Sequence, residues 1–139
     1  MTMIQSCLPP VLALVALSFL TGLLVLVTRL ADLVRGRRPL AFYEDFEAAG
    51  QPAWIVRPTR QLANQFEYPV LFYTLIALAI GLGLEDAWLP GLAWGYVGLR
   101  WAHAASHLWF NRLYVRTPVF IAGNLVLLAM WAHFATAVL

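Results

Sequence analysis

Four long apolar segments dominate this 139-residue sequence, at about residues 9–28, 58–84, 88–111 and 117–138. A helix needs about 20 apolar residues to cross the hydrocarbon core of a bilayer, and each segment reaches that length. Only 12% of all residues are charged, about half of what is usual in a soluble domain. The pattern therefore predicts an all-α membrane protein: one domain in which four transmembrane helices form a bundle.

The charge balance and the cysteine content exclude several classes of protein. The formal net charge is only +2, and scattered arginines of this kind argue against a nucleic-acid partner. Cys7 is the only cysteine, so the chain has neither an intramolecular disulfide nor a thiolate metal cluster. The N-terminus has no positively charged stretch before its apolar segment, and we expect it to be retained as the first transmembrane helix.

The arginines concentrate in two of the three connections between the apolar segments. Those around the first connection, residues 31–57, and in the third are Arg29, Arg35, Arg37, Arg38, Arg57, Arg112 and Arg116. The second connection, residues 85–90, has two acids and no arginine. The positive-inside rule then predicts a multi-pass protein with both termini outside and the first and third connections in the cytoplasm. The acidic and aromatic run Phe42–Glu47 predicts a short interfacial helix, or a flap over the inner mouth of the bundle.

A polar stripe interrupts the second apolar segment. Arg60, Asn64 and Glu67 are spaced by four and then three residues, which places them on one helical face, and Tyr68 follows at once. An ionisable group in hydrocarbon costs roughly 2.5–3.5 kcal/mol on insertion scales, so such groups rarely persist without a use. We expect Pro69 to kink the helix here. Alternatively, the segment forms a long re-entrant element, because its first ten residues are polar. The stripe is the first candidate for a functional site.

A second polar stripe lies in the third segment. Arg100, His103, His107 and Asn111 are spaced by three, four and four residues, which again selects one face. With the predicted topology, both stripes lie in the cytoplasmic half of the bilayer, about 5–20 Å from that surface at 1.5 Å per residue. The two stripes can therefore face one another across a cavity.

Spacing alone leaves two other interpretations open. Both stripes can be structural, with ion pairs and hydrogen bonds that hold helices together inside the membrane. His103 and His107, four residues apart, also have the spacing of a helical metal-binding pair, for which Glu67 is the obvious third ligand. We predict no metal site, because ordinary hydrogen bonding between helices accounts for two histidines more simply. The sequence contains no nucleophile elbow, phosphate-binding loop or dinucleotide fingerprint.

The polar residues of the second segment form the pattern Arg60-x-x-x-Asn64-x-x-Glu67-Tyr68. This pattern resembles the second-helix motif of the MAPEG family, the membrane-associated proteins in eicosanoid and glutathione metabolism. The resemblance continues at Arg100–His103 in the third segment, which is similar to that of bacterial members of the family.

The resemblance implies a left-handed bundle of four helices that assembles as a homotrimer in the bacterial inner membrane. Glutathione, as co-substrate, is expected between neighbouring subunits near the cytoplasmic face. The other implied partners are a lipophilic small molecule and the lipid bilayer. The implied glutathione-binding residues are Arg60, Asn64, Glu67, Tyr68, Arg100, His103 and His107.

The third connection supplies the implied catalytic residues. Arg116 falls where the family places the arginine that stabilises the glutathione thiolate, with Phe120 and Gly123 following at a similar spacing. Arg112 is the second candidate, because loop length leaves the alignment open by several residues. A positive charge beside a thiol lowers its pKa, and the thiolate is the attacking species. The implied activity is that of a membrane-bound glutathione-dependent transferase or peroxidase acting on lipophilic electrophiles.

The third segment departs from the family pattern in two places. Ala102 and His107 stand where well-studied members have tyrosines. His107 can replace the hydrogen bond of a tyrosine and can also carry a charge. This departure motivates an alternative function, in which the same fold serves as a non-enzymatic accessory, scaffold or lipid-binding subunit.

Overall fold

The structure is a computed structural model that describes residues 2–36, 38–43 and 50–139, and every regular element in these ranges is helical. The elements are α1 (Met3–Val34), a short 3-10 helix (Leu40–Tyr43), α2 (Ala53–Asn64), α3 (Tyr68–Gly81), α4 (Leu89–Ala105), a π-helical turn (Ser106–Phe110) and α5 (Leu113–Val138). This confirms the predicted all-α class. Helices α1 and α5 are long and apolar enough to cross a membrane by length and composition.

The core lies where α1, α3, α4 and α5 meet. Helix α4 packs against both α1 and α5, and α2 packs along α1. Leu14 of α1, Phe72 of α3 and Met130 of α5 are fully buried, and the ring of Phe72 stacks on that of Tyr96 at 4.9 Å between centroids. Burial of each such side chain from water stabilises a fold by roughly 1.5–3 kcal/mol. Between helices in a membrane, the stabilisation comes from close packing of these side chains.

The outward surfaces of the long helices are apolar as well. Phe19 of α1 is 76% exposed and Leu128 of α5 is 64% exposed, and both belong to longer rows of exposed aliphatic and aromatic side chains. A soluble monomer rarely exposes so much contiguous apolar surface. These faces suit contact with lipid, which agrees with a membrane-associated protein.

The second apolar segment forms two helices instead of one. It begins at Ala53, five residues before the predicted start, and the helix ends at Asn64 and resumes at Tyr68. Pro69 lies at the start of α3, and it has no N–H to donate to the carbonyl of Gln65, with which its ring would also clash in a continuous helix. The expected kink at Pro69 is therefore a complete break centred on residues 65–67.

Helix α4 begins at a carboxylate that also reaches α5. Oδ1 of Asp86 accepts hydrogen bonds from the backbone N–H groups of Trp88 (2.7 Å) and Leu89 (2.8 Å), and Oδ2 contacts Nε2 of His133. Burial alone raises the pKa of the Asp86 carboxyl, but the two backbone N–H groups and His133 outweigh it and hold the pKa below its ordinary value. Asp86 thus ties the second connection to the last helix.

The first connection folds back on the end of α1. Asp32 is fully buried, and its Oδ2 accepts hydrogen bonds from Nη1 of Arg38 (3.0 Å) and from the hydroxyl of Tyr43. Burial raises the pKa of the Tyr43 phenol, and its hydrogen bond to Asp32 raises it further. The predicted interfacial helix or flap falls on residues 42–47. The 3-10 helix ends within it at Tyr43, and residues 44–49 lie outside the described part of the chain.

Candidate functional site

A polar cavity of about 510 Å³ lies where the end of α2, the α2–α3 break, the end of α4 and the start of α5 meet. Its lining residues are Arg60, Ala63, Asn64, Glu67, His103, His107, Arg116, Thr117 and Phe120. The volume is within the range of roughly 300–1,000 Å³ that small-molecule sites usually have. The cavity therefore brings the polar stripe of the second segment together with the two histidines of the third segment and the start of the fourth.

The α2 side of the cavity carries three of the predicted residues. Arg60 and Asn64 lie one turn apart on α2, as their spacing predicted. Glu67 is the last residue of the break before α3, with φ −93° and ψ −106°, so it does not continue the helical face. Its side chain nevertheless lines the same cavity as the other two. A cation, an amide and a carboxylate thus share one wall and can bind a ligand that carries both signs of charge.

The opposite wall carries the two histidines. His103 and His107 are each 4% exposed, and their ring centroids are 6.1 Å apart. The ring of His103 has the backbone of Arg116 within hydrogen-bonding reach, whereas Nδ1 of His107 has no hydrogen-bond partner within the described residues. A buried polar atom without a partner costs about 1–3 kcal/mol. Such a cost at a cavity wall is typical of groups that a ligand satisfies.

The end of α4 is wound more loosely than a regular α-helix. The chain adopts a π-helical turn over Ser106–Phe110, which contains His107, and then reaches Asn111 with φ 45° and ψ 31°. π-helical turns are rare and occur often at functional sites, and asparagine is one of the few residues that tolerates this left-handed conformation. Because the turn is wider than an α-helical turn, His107 is offset from the 3.6-residue spacing of the preceding helix. The turn also sets the direction in which α5 starts.

Arg116 lies in the first turn of α5 and on the cavity wall. Its Nη1 donates a hydrogen bond to Oδ1 of Asn111 at 2.8 Å, which links the guanidinium to the end of the π-helical turn. The first turn of a helix also carries free N–H groups and a partial positive charge. Arg116 and this helix end together favour an anion in the cavity.

Three predicted site residues lie outside the cavity wall. Arg100 is 3% exposed and donates hydrogen bonds to the hydroxyl of Tyr96 (2.9 Å) and to Oδ1 of Asn124 (2.7 Å). The ring of Tyr68 packs edge-on against that of Phe120, with 5.7 Å between centroids. The exposed Arg112 donates a hydrogen bond to the hydroxyl of Tyr114 at 2.6 Å. Their contacts with glutathione stay a prediction.

Sequence reasoning passed over two residues of the cavity wall. Ala63 precedes Asn64, and Thr117 follows Arg116, so each is adjacent to a residue that the stripes or the family motif did select. A small apolar residue gives no signal of its own. The threonine lies one helical turn before Phe120, and this spacing was the available clue.

The described residues contain no group of three or more His, Cys, Asp or Glu side chains placed to hold a metal ion. Glu67 lines the same cavity as His103 and His107 but does not complete a ligand set with them. The metal-dependent interpretation of the histidine pair therefore lacks its third ligand within this part of the chain.

A comparison with models of known protein families covers nearly all of this architecture. The model of the MAPEG family matches residues 8–136, which is nearly the full chain and includes every element that contributes to the cavity. No curated protein and no solved structure matches the chain significantly.

Proposed function

The chain belongs to the MAPEG family, and from that premise we propose that it is a membrane-bound, glutathione-dependent transferase or peroxidase that acts on lipophilic electrophiles. The observation that carries the proposal is the polar cavity, in which Arg60, Glu67 and Arg116 converge inside an otherwise apolar protein. Charged groups are costly in a membrane and usually mark a ligand site. The lipophilic acceptor reaches this site from the bilayer.

The charges of the cavity suit glutathione. With both histidines neutral, two arginines and one glutamate give the wall a formal charge of +1. Glutathione with a protonated thiol has two carboxylates and one ammonium, hence a charge of −1. Arg60 can bind a carboxylate through two parallel hydrogen bonds, and Glu67 can pair with the ammonium of the γ-glutamyl group. Asn64 supplies a neutral hydrogen bond beside them.

Arg116 is the proposed activating residue. A guanidinium next to the thiol favours the thiolate, which is the reactive nucleophile. Arg112, the other arginine of this connection, is exposed and bonded to Tyr114, so it serves as the matched control.

The proposed setting is a homotrimer of four-crossing subunits in the bacterial inner membrane. Both termini are placed outside and the first and third connections in the cytoplasm, as the arginine distribution favours. The wall residues Arg60 and Glu67 are exposed in the single chain. An exposed charged wall at membrane depth is stable when a neighbouring subunit covers it.

A second candidate function, a lipid-binding accessory protein, is favoured by a different cavity. An apolar groove of about 710 Å³ runs between α1 and the α2–α3 region, along Phe19, Leu23, Phe66 and Val70. Its lining is nearly free of polar surface, so it suits an acyl chain. A protein that binds lipid there and no thiol at the polar cavity would have this second function.

Ultraviolet difference absorbance of the detergent-purified protein, titrated with glutathione, tests the first candidate. We expect a saturable thiolate band in the wild type and in Arg112→Ala, and its loss in Arg116→Ala. A correctly assembled wild-type oligomer without any band contradicts the glutathione function and favours the accessory protein. Equal bands in Arg112→Ala and Arg116→Ala contradict the role given to Arg116.

A further inference from the structure

Arg57 is a charged residue of α2 that does not belong to the cavity wall. It lies three residues before Arg60 and seven before Asn64, so it extends the polar face of α2 by one turn toward the start of the helix. Its side chain is partly buried, its Nε is enclosed without a hydrogen-bond partner, and it forms no ion pair with another described residue. A guanidinium partly removed from water and without an anion beside it is suited to bind an anionic ligand.

The charge of Arg57 acts on the polar cavity. Helix α2 packs against the π-helical turn that carries His107, and the cations that act on the His107 ring are Arg116, Arg57 and Arg60. Arg60 and Arg116 line the cavity, and Arg57 lies one helical turn before Arg60. Three guanidiniums therefore surround the His107 side of the cavity, which makes this side the place for the negative charges of a ligand.

The order of polar groups along α2 gives glutathione one orientation. The ammonium and one carboxylate of glutathione are on the same carbon atom, at its γ-glutamyl end, and the second carboxylate is at its glycine end. With Glu67 on the ammonium, Arg60 is the nearest cation of α2 for the carboxylate on that carbon. The glycine carboxylate then lies toward the start of α2, where Arg57 is the next cation.

The length of glutathione agrees with this orientation. Arg57 and Asn64 are seven residues apart, which is about 10 Å along the helix axis. An extended chain of three residues also spans about 10 Å. Glutathione can therefore extend along this face from the α2–α3 break to Arg57, with its cysteine between the two ends.

Arg57 also changes the charge of the occupied site. With neutral histidines, the three guanidiniums and the carboxylate of Glu67 give a total of +2. Glutathione has a charge of −1 as the thiol and −2 as the thiolate, so the thiolate brings the site to zero. Without Arg57, the same thiolate complex would have a net negative charge in a medium of low dielectric constant, which is costly. The third guanidinium thus favours release of the thiol proton.

We propose that Arg57 binds the glycine carboxylate of glutathione and makes the thiolate the electrically neutral form of the occupied site, an inference that rests on the glutathione function proposed above. In this step the S–H bond breaks, its electron pair stays on sulfur and the proton leaves to water, so no other reactant is needed. Arg57 is then a specificity-determining residue, and the site selects small thiols that carry a carboxylate at each end.

Two probes test the carboxylate assignment in the detergent-purified protein. They are glutathione and its monoethyl ester, in which only the glycine carboxylate is esterified, and their Kd values are measured by titration calorimetry. We expect the wild type to bind the ester about 10–100-fold more weakly, since a charged hydrogen bond is lost. In Arg57→Met the Kd for glutathione should rise by a similar factor and agree with that for the ester within about twofold. Arg35→Met, a change of an exposed arginine next to the end of α1, is the matched control and should discriminate as the wild type does.

Each other outcome has a separate meaning. Wild-type Kd values that agree within about twofold overturn the proposal and leave the glutathione function intact. Weaker binding of both probes by Arg57→Met, with the wild-type discrimination retained, also overturns it, because a purely structural role has this effect. The absence of glutathione binding to the wild type overturns the glutathione function, and this proposal with it. If Arg57→Met does not fold, Arg57→Gln provides the same comparison.

The thiolate band at saturating glutathione tests the charge balance. Saturation removes the effect of weaker binding, so the ultraviolet band per bound glutathione reports the protonation of the thiol. Near pH 7 we expect about one proton released to water per thiolate in the wild type, and a band at least about twofold smaller in Arg57→Met. Equal bands per bound glutathione in the two proteins would overturn the role of Arg57 in thiolate formation.

Discussion

Arg100 provides a prediction that separates a structural role from a role in glutathione binding. Its guanidinium is 3% exposed and bonds to Asn124 of α5 at 2.7 Å and to Tyr96 on its own helix at 2.9 Å. Neutral hydrogen bonds between membrane helices contribute only about 0.6 kcal/mol on average. A short, buried bond from a charged donor is worth about 1.5–3 kcal/mol. We therefore expect a coupling free energy of about 1.5–3 kcal/mol between Arg100 and Asn124.

A double-mutant cycle measures this coupling. The variants are Arg100→Met, Asn124→Leu and their combination, and the free energy of unfolding is obtained by detergent titration in mixed micelles. Arg100→Met leaves both Asn124 and the hydroxyl of Tyr96 without their partner, and Asn124→Leu leaves Arg100 with Tyr96 alone. The loss at Tyr96 is common to Arg100→Met and the double variant and cancels in the cycle, so the double variant should lose less than the two single ones together. The exposed pair Arg112–Tyr114 is the control, with an expected effect below about 1 kcal/mol.

Two results would refute the reasoning about Arg100. A coupling at or below about 0.6 kcal/mol would make its bond to Asn124 no stronger than a neutral one. An Arg100→Met variant with unchanged stability but a Kd for glutathione raised about tenfold, which is about 1.4 kcal/mol, would place Arg100 in direct contact with the ligand.

Four further predictions concern single side chains. Asn111→Gly keeps the left-handed backbone but removes the bond to Arg116, and the thiolate band should weaken about 2–10-fold, which corresponds to about 0.5–1.5 kcal/mol; an unchanged band would show that Arg116 needs no such support. Glu67→Gln should raise the Kd for glutathione about 10–100-fold in an equilibrium titration, since a charged hydrogen bond to the ammonium is lost, and a Kd within twofold of wild type would contradict that pairing. The pKa of Asp86 is held below its ordinary value of 3.8, so its contribution to stability is complete above that value and disappears as the pH falls through the lower folded-state pKa. Thermal melting of Asp86→Asn should lack this acid-side decrease, and a wild-type profile in the variant would assign the decrease to other groups. His107→Leu should leave the stability of the ligand-free protein unchanged or higher, because an enclosed Nδ1 without a partner is removed, and a loss above about 2 kcal/mol in the same melting assay would mean that the ring is satisfied in the folded protein.

The spacing of the polar residues predicted which side chains line the cavity, but it did not predict the backbone geometry that brings them together. Arg60, Asn64 and Glu67 were placed together because their spacing matches one face of a helix. All three line the cavity, although the helix ends between the second and the third. Pro69 indicated an interruption, but spacing alone does not distinguish a kink from a break. Glu67 lines the cavity because the helix breaks at this point of the chain. Tertiary packing determines such a break, and the helical spacing of residues does not predict it.

The third-segment stripe lies only partly on the cavity wall. Arg100 and Asn111 share the spacing of His103 and His107, yet only the histidines line the cavity. Arg100 lies one turn earlier and pairs with Asn124, a residue about a full segment away in sequence, so no local pattern could identify that partner. Asn111 follows a π-helical turn, whose wider winding no periodicity of 3.6 residues predicts. A stripe selects a face of a helix, and long-range packing decides which residues of that face reach the site.

The buried polar groups of Arg100 and of His107 differ in their hydrogen bonding. The scaffold interaction of Arg100 satisfies the polar groups that it brings together, as the bonds to Tyr96 and Asn124 demonstrate. On the cavity wall, Nδ1 of His107 is enclosed without a hydrogen-bond partner in the described part of the chain, at a cost of about 1–3 kcal/mol. Natural proteins lie just above the stability that function requires, so a cost of this size can be retained. A ligand that brings its own donors and acceptors offsets this cost when it binds, so the same atoms that weaken the free protein strengthen the complex.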